Sequence, residues 1–252
     1  MPVRQAFGSP GGKSHLAKKI NSLVPKHRTY VEPFAGGAAV FWNKEPSAKE
    51  VLNDKDPEIA FAYRFIKGMT DNEFKSLKRM QWVLYKGTFE RIKASKPKNR
   101  VERFRKFYYL SGASFGGGKQ QFRTTTGAKI DIDKLIRNKA RLKGVIILNK
   151  DYRAVISAYN SPTTFFYVDP PYPGTAFLGA KDAFTEKHLQ ELITRLKGVK
   201  GKFILSLNSK HTGMLPKSWH IRRALVHSNI GGTDNYNPRH KRYEILVANF
   251  KI

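Results

Sequence analysis

The 252-residue sequence contains no cysteine. That absence excludes a disulfide framework, thiolate zinc sites and thiol nucleophiles. For an enzyme working on nucleic acid it also excludes thiolate attack on a pyrimidine ring and a zinc deaminase with a Cys-x-x-Cys pair. Acidic residues are scarce: Asp+Glu 19 stand against Lys+Arg 47, a formal net charge of +28 with a pI of about 10.3. An excess of that size repels itself in any compact state, so a polyanion is the natural partner, with nucleic acid ahead of an anionic membrane surface. No window approaches the roughly 18 apolar residues of a membrane span, and the opening MPVRQAFGSPGG has no apolar run of signal-peptide length. A soluble, cytoplasmic protein is expected.

The chain is nevertheless rich enough to fold, with 40% hydrophobic and 12% aromatic residues. Its length suits one good-sized domain or one domain with an insertion. Helix and strand alternate in the first third. Ser14 caps a helix to about Leu23, Thr29–Glu32 reads as a strand followed by a Gly-containing turn, Val51-Leu52 ends a second strand, and a helix follows from about Pro57 to Ile66. Residues 64–143 then hold 22 Lys+Arg and 6 Asp+Glu, 22 − 6 = +16, with helices expected at Asp71–Trp82 and Asn99–Leu110 and a loop or hairpin at Ser111–Lys129. Afterwards come strands near Val145–Leu148, Thr163–Val168, Phe203–Leu207, Ile221–Val226 and Tyr243–Phe250, and an amphipathic helix capped by Thr185. The pattern predicts an α/β fold: a doubly wound, mostly parallel sheet with one antiparallel edge strand, made from residues 1–63 and 144–252, and interrupted by a basic helical subdomain at 64–143.

The strongest chemical feature is Asp169-Pro170-Pro171-Tyr172 at the end of an apolar strand. Ligands of open α/β sheets bind outside the carboxyl ends of strands. Two prolines fix φ and remove two backbone donors, leaving carbonyl oxygens and a carboxylate beside an aromatic face. That spot suits a planar group bearing an NH2: Asp169 and the Pro170 carbonyl accept its two hydrogen bonds while Tyr172 stacks on the ring. The plain alternative is an Asp-Pro turn with Tyr172 as a core aromatic. The second feature, Glu32-Pro33-Phe34-Ala35-Gly36-Gly37 after a strand and Asp54 after the next, has the layout of a nucleoside site, with glycines at the first turn and an acid for ribose hydroxyls. It is not Gly-x-Gly-x-x-Gly, so a dinucleotide is not favoured. Gly11-Gly12-Lys13-Ser14 is no phosphate loop, because Phe7 stands where that loop needs glycine. Lys13 reads instead as a donor to a carboxylate ligand, or as a solvated lysine.

Taken in order, these motifs resemble those of the N6-adenine DNA methyltransferases of the Dam type (D12 class, alpha group motif order). The resemblance runs through Gly11-Gly12-Lys13, Glu32-Pro33-Phe34-x-Gly36-Gly37, Asp54, Asn149-Lys150-Asp151-Tyr152, Asp169-Pro170-Pro171-Tyr172, Phe184-Thr185-x-x-His188-Leu189, the strand with Ser206 and Asn208, and Tyr243-Glu244-Ile245-Leu246. It covers roughly residues 7–56 and 108–250. It implies a class I methyltransferase-like fold and transfer of a methyl group from S-adenosylmethionine to the exocyclic amine of a flipped adenine in double-stranded DNA, giving S-adenosylhomocysteine, with no metal. Lys13, Gly12, Glu32, Phe34 and Gly36 are then expected on the cofactor, with Lys13, Glu32 and Gly36 at its methionine end. Asp54 is expected at its ribose, and Asp151 with Tyr152 at its adenine ring. Asp169, also expected beside the cofactor, and Pro170 would accept from the target amine, with Pro171 completing the turn and Tyr172 stacking on the base. The family commonly has Gly where Ala38 stands and an aromatic where Ser9 stands. Amino-cytosine methyltransferases more often carry Ser at position 169 and a protein-glutamine methyltransferase Asn, so adenine is favoured.

The basic block supplies the DNA-binding surface in this reading. Arg103, Arg105 and Lys106 are expected on phosphates. Lys119, Gln120, Gln121 and Arg123 are expected to probe bases, and Phe115 (or Phe122) to wedge into the space left by the flipped base. Arg239-His240-Lys241-Arg242 in the loop Asn229–Arg242 is a further backbone candidate, and affinity drawn mainly from phosphates implies relaxed sequence specificity. A monomer in a bacterial or phage-infected cell, in a restriction–modification setting, is expected by analogy. Two rivals stay open: the same chemistry on RNA, and a methyltransferase-fold DNA-binding protein that no longer turns over.

Overall fold

Short apolar runs become the strands of a single sheet. The computed structural model describes residues 3–114, 117–123, 126–173, 184–226 and 242–252. Its strands are β1 (Thr29–Glu32), β2 (Lys49–Asn53), β3 (Ile146–Leu148), β4 (Thr164–Val168), β5 (Lys202–Asn208), β6 (His220–Val226) and β7 (Arg242–Ala248). Their order across the sheet is β3-β2-β1-β4-β5-β7-β6. The first five in that order are parallel, and β7 enters antiparallel to both β5 and β6. This is the class I methyltransferase-like sheet expected from the sequence, with the antiparallel strand seated just inside the outermost one.

The helices are α1 (Ala17–Asn21), α2 (Ala39–Asn43), α3 (Pro57–Gly68), α4 (Asp71–Lys78), α5 (Lys86–Ala94), α6 (Arg100–Ala113), α7 (Lys134–Arg141), α8 (Tyr152–Ala158) and α9 (Glu186–Lys197). Local chemistry sets several of their starts. Asp56 caps α3 with Pro57 in its first turn, Thr70 and Glu73 close a capping box on α4, Asn99 accepts from Val101 and Glu102 at α6, and Thr185 with His188 closes a box on α9. The first helix is shorter than Ser14–Leu23, because residues 14–16 are turn and only Ala17–Asn21 is α-helical. Helices α5 and α7 belong to the block expected to be helical but were not among the helices named there: both are strongly charged, with few apolar positions to mark a period.

Alternating residues of each strand face opposite layers. Tyr30, Leu52, Phe165, Tyr167 and Ile204 share one apolar cluster with α2, α3 and the helices of the basic block. Val31, Val51, Phe166, Val168, Phe203 and Leu205 join the other cluster, with Val155 of α8 and Leu189 and Leu192 of α9. Every residue of β4 is buried, as in a parallel strand covered on both faces. In the basic block Phe104 of α6 stacks on Phe65 of α3, with ring centroids 4.2 Å apart, and Arg141 of α7 forms a buried ion pair with Glu50 of β2. The helix α3 runs without interruption through residue 64, where the composition shifts.

The chain reverses direction across the sheet between β1 and β4, so the turns after these two strands flank one crevice. At the opposite, amino ends of the strands, Gly201 sets the spacing between β5 and β4. A Cβ there would meet the carbonyl oxygens of Thr164 at 2.1 Å and Ser161 at 2.7 Å, both backbone atoms. Gly201→Ala is therefore expected to lower stability by about 1–3 kcal/mol through displacement of β5 from β4, read as a fall in the urea midpoint; an unchanged midpoint would show that the strands part without cost.

Candidate active site

Asp169 leaves the buried end of β4 and meets an ammonium. The Nζ of Lys13 lies 3.0 Å from Asp169 Oδ1 and 3.5 Å from Glu244 Oε1 on β7, and donates to the carbonyl of Gly11 at 2.8 Å. The same nitrogen sits 5.1 Å from the centre of the Tyr172 ring. Lys13 is 6% exposed, so all of this happens out of water. Burial opposes its charge, but Asp169, Tyr172 and Glu244 outweigh burial and push its pKa above that of an ordinary lysine. Burial pushes the Asp169 and Glu244 carboxyls up, and the Lys13 ammonium pulls both back. The Tyr172 hydroxyl is also raised by burial, with Ser206 and Glu244 as polar neighbours.

The turn after β1 is tied down from several sides. Ala35 donates to the Asn53 carbonyl at 2.8 Å, and the Asn53 amide donates to the carbonyls of Pro33 and Lys150 at 2.8 and 3.0 Å. Gly36 has φ +47° and donates to Asp54 Oδ2 at 2.8 Å, while its carbonyl accepts from Tyr63 at 2.8 Å. Gly37 donates to Ser9 Oγ at 2.8 Å, so the serine that departs from the family pattern stitches the N-terminal segment to this turn. Ala38 has φ +50°, the left-handed region, which accounts for the family's preference for glycine there and costs alanine about 1 kcal/mol. The Asp54 carboxylate also accepts from Asp56 at 2.9 Å, and burial raises its pKa to about 6 against these stabilising hydrogen bonds.

Glu32 does not open onto the crevice. It is 1% exposed, and its Oε1 accepts from the Tyr30 hydroxyl at 2.6 Å and from the Phe41 amide of α2 at 3.0 Å. Burial pushes its pKa up to about 8, with both hydrogen bonds acting the other way. A carboxyl raised from 4.5 to about 8 contributes stability that is complete below pH 4.5 and lost as pH rises through 8. Because both hydrogen bonds fall on one oxygen, Glu32→Gln keeps them and removes the charge. Urea midpoints are expected to fall less steeply between pH 5 and 9 in the variant, with a gain of about 3 kcal/mol at the alkaline end. A curve parallel to the wild type would sink this account.

Aromatic rings line the flank beyond the turn: Phe34 lies 4.9 Å from Tyr152 and 6.0 Å from Phe184, centroid to centroid. Asp151 caps α8 by accepting from Arg153, whose guanidinium also binds Asp151 and Glu191. Among the described residues no three of His, Asp and Glu gather as metal ligands, and no helix is long and apolar enough to cross a membrane.

In the basic block the expected DNA residues split into groups. Gln120 and Gln121 are exposed and Arg123 half-buried. Lys119 lies 4.1 Å over the Phe107 ring with φ +61°, and burial lowers its pKa. Arg103 is paired with Glu58, Lys106 donates to the Ser95 carbonyl at 2.6 Å, and Arg105 is half-buried. Phe115 and all of Asn229–Arg242 except Arg242, whose backbone opens β7, lie outside the described residues. The structure thus unites Lys13, Asp169 and Tyr172, joins Gly36 to Asp54 and Phe34 to Tyr152, and holds Glu32 beneath α2. Sequence reasoning assigned no role to Glu244 or Asn53. Glu244, a lone acid in the apolar run Tyr243–Ala248, was the available signal for the first, and the strand-terminal Asn53-Asp54 pair for the second.

The family model of the D12 class N6 adenine-specific DNA methyltransferase matches residues 9–230. Among curated relatives, the Type II methyltransferase M.CviBI of Paramecium bursaria Chlorella virus NC1A is 28% identical over 175 residues, 64% of this chain and 66% of its own length. The Type II methyltransferase M.MjaIII of Methanocaldococcus jannaschii is 24% identical, covering 99% of this chain and 100% of its own. The DNA adenine methylase of Escherichia coli K12 is 26% identical, covering 96% and 93%.

Proposed function

This chain belongs to the D12 class N6 adenine-specific DNA methyltransferases, and we propose that it methylates adenine in duplex DNA, with S-adenosylmethionine as donor and the target base flipped into the crevice between β1 and β4. The observation that carries the reading to named residues is the buried Lys13–Asp169 pair beside Tyr172 at the carboxyl end of β4.

The crevice fits such a donor: Asp54 offers a carboxylate at the turn and Phe34 with Tyr152 an aromatic flank, while Gly36 and Gly37 let the N-terminal segment close on the turn, a Cβ there meeting Ser9 Oγ at 3.0 Å and Gln5 Nε2 at 2.0 Å respectively. Gly12, Phe34, Gly36 and Asp54 would hold the cofactor, with Asp151 and Tyr152 toward its adenine ring. Lys13 acts on the same site through its charge, from beside Asp169, while Glu32 supports the turn from below by holding Tyr30 and the first turn of α2. When bound, the donor would supply an electrophilic methyl carbon on a sulfonium with a neutral thioether as leaving group, and the amine would release one N6 proton to water.

The chain's own residues orient that nitrogen. Asp169 and the Pro170 carbonyl accept from the amine, which keeps its lone pair out of the ring and aimed at the carbon; Tyr172 stacks on the base and excludes water. Flipping is required because a stacked, paired adenine hides its amine. The block at 64–143 supplies the duplex-binding surface, Gln120, Gln121 and Arg123 probing bases and the Lys/Arg excess neutralising phosphates.

The test is incubation of purified protein and labelled donor with duplex DNA and, separately, RNA, followed by digestion to nucleosides. N6-methyladenine in the DNA is the expected product. Label in RNA alone transfers the reading to RNA, and no label in either rejects it. Mapping methylated positions on a plasmid is expected to give several sequence contexts, and one strict motif would reject relaxed specificity.

A further inference from the structure

Glu244 belongs to none of the groups that hold the base or the donor in this reading, yet it reaches the same ammonium as Asp169. It sits on β7 in register with Asn208 of β5 and Ala224 of β6, and its side chain is 15% exposed. Its carboxylate draws on Lys13 and Tyr172 alone among the groups named around it. A poorly exposed acid leading the apolar run Ile245–Ala248, with one oxygen 3.5 Å from Lys13, is costly unless its charge is used.

We propose that Glu244 is a positioning residue for methyl transfer: it shares the Lys13 ammonium with Asp169, leaving Asp169 free to accept from the target amine and giving the cluster a net negative charge. Lys13 contributes +1 and the two carboxylates −2, so the ionised cluster carries −1. As the new bond forms, positive charge passes from the donor to the amine nitrogen, and a negative cluster beside that nitrogen lowers the barrier. Without Glu244 the Lys13–Asp169 pair is neutral and the ammonium is no longer divided. The groups that face Glu244 are Lys13 from the N-terminal segment, Asp169 and Tyr172 after β4, and Tyr167 on β4. The 3-10 segment Ser209–Met214, carrying Lys210 and His211, also packs against β7, and Lys210 Nζ donates to the Pro173 carbonyl at 3.4 Å, next to Tyr172.

The inference rests on the methyltransferase reading, and the test separates the two. Single-turnover transfer to duplex DNA is followed from pH 5.5 to 9 for the wild type and Glu244→Gln, with donor and DNA affinities measured alongside. The variant is expected to lose about tenfold in rate at pH 7.5 while both affinities stay within about threefold. Its acid limb moves to lower pH, because removing a like charge eases ionisation of Asp169. A rate within about twofold of wild type, or a loss with the limb unmoved, overturns the proposal. If Glu244→Gln does not fold, Glu244→Asp takes its place, with the same direction of shift expected, smaller in size, and an unmoved limb again decisive against it. A wild type that transfers no methyl group overturns the parent reading and this inference with it.

Discussion

Asp169→Ala is expected to lower methyl transfer by about a thousandfold or more while leaving affinity for duplex DNA within a fewfold of wild type. The carboxylate at the end of β4 is the proposed acceptor that aligns the amine, and its loss cannot be made good by the Pro170 carbonyl alone. DNA affinity is expected to survive because the basic block, with 22 Lys+Arg, is the proposed phosphate-binding surface. Lys13 keeps Glu244 as a partner at 3.5 Å, so the variant does not strand a buried cation. Labelled methyl transfer and a DNA titration at matched salt check both halves. Residual activity within about tenfold of wild type would mean that Asp169 is a strand-end residue and no more.

Lys13→Met attacks the same cluster from the opposite side and is expected to be the most destabilising single change, at about 3–5 kcal/mol. It removes the cation that two poorly exposed carboxylates share. Asp169 and Glu244 then rise further, since burial continues to favour their neutral forms and the ammonium no longer opposes it. A carboxyl whose folded-state pKa is raised contributes stability below its unfolded value and loses it as pH rises through the folded value. The gap in stability between variant and wild type is therefore expected to widen from pH 5 to pH 8. Transfer in the variant is expected to fall at neutral pH, with an acid limb displaced to higher pH, the reverse of Glu244→Gln. Urea melts across pH together with rate profiles check this; a gap that narrows with pH would refute it.

Much of this arrangement was legible because parallel strands buried on both faces read as continuous apolar runs. Phe165-Phe166-Tyr167-Val168 ends at an Asp-Pro-Pro-Tyr that could only be a strand terminus, and the ligand-binding end of the sheet followed from that. Thr185 was readable as a cap because its own chemistry satisfies α9. The Lys13–Asp169–Glu244 cluster was not, because its members come from the first loop, the fourth strand and the last strand, and no spacing links them. Lys13 was read as a donor to a carboxylate ligand, and the carboxylates it meets here belong to the chain itself. Glu32 stood where a ligand residue was expected; the needs of Tyr30 and of the first turn of α2 for an acceptor turned it inward. Helix α7 escaped notice because Arg141 anchors it by a buried ion pair with Glu50, an interaction without periodicity.

The apolar cluster that runs from Tyr30 and Phe165 of the sheet through Phe65 to Phe104, Tyr108 and Leu135 has a consequence for how target preference can change. A segment cut at 64 and 143 and transplanted would arrive with half a core and leave the other half exposed on the donor. Specificity in such a protein is therefore not exchangeable by cassette. On the proposed reading it would drift through surface loops, such as the one bearing Gln120 and Gln121, that can vary without disturbing the apolar cluster beneath them.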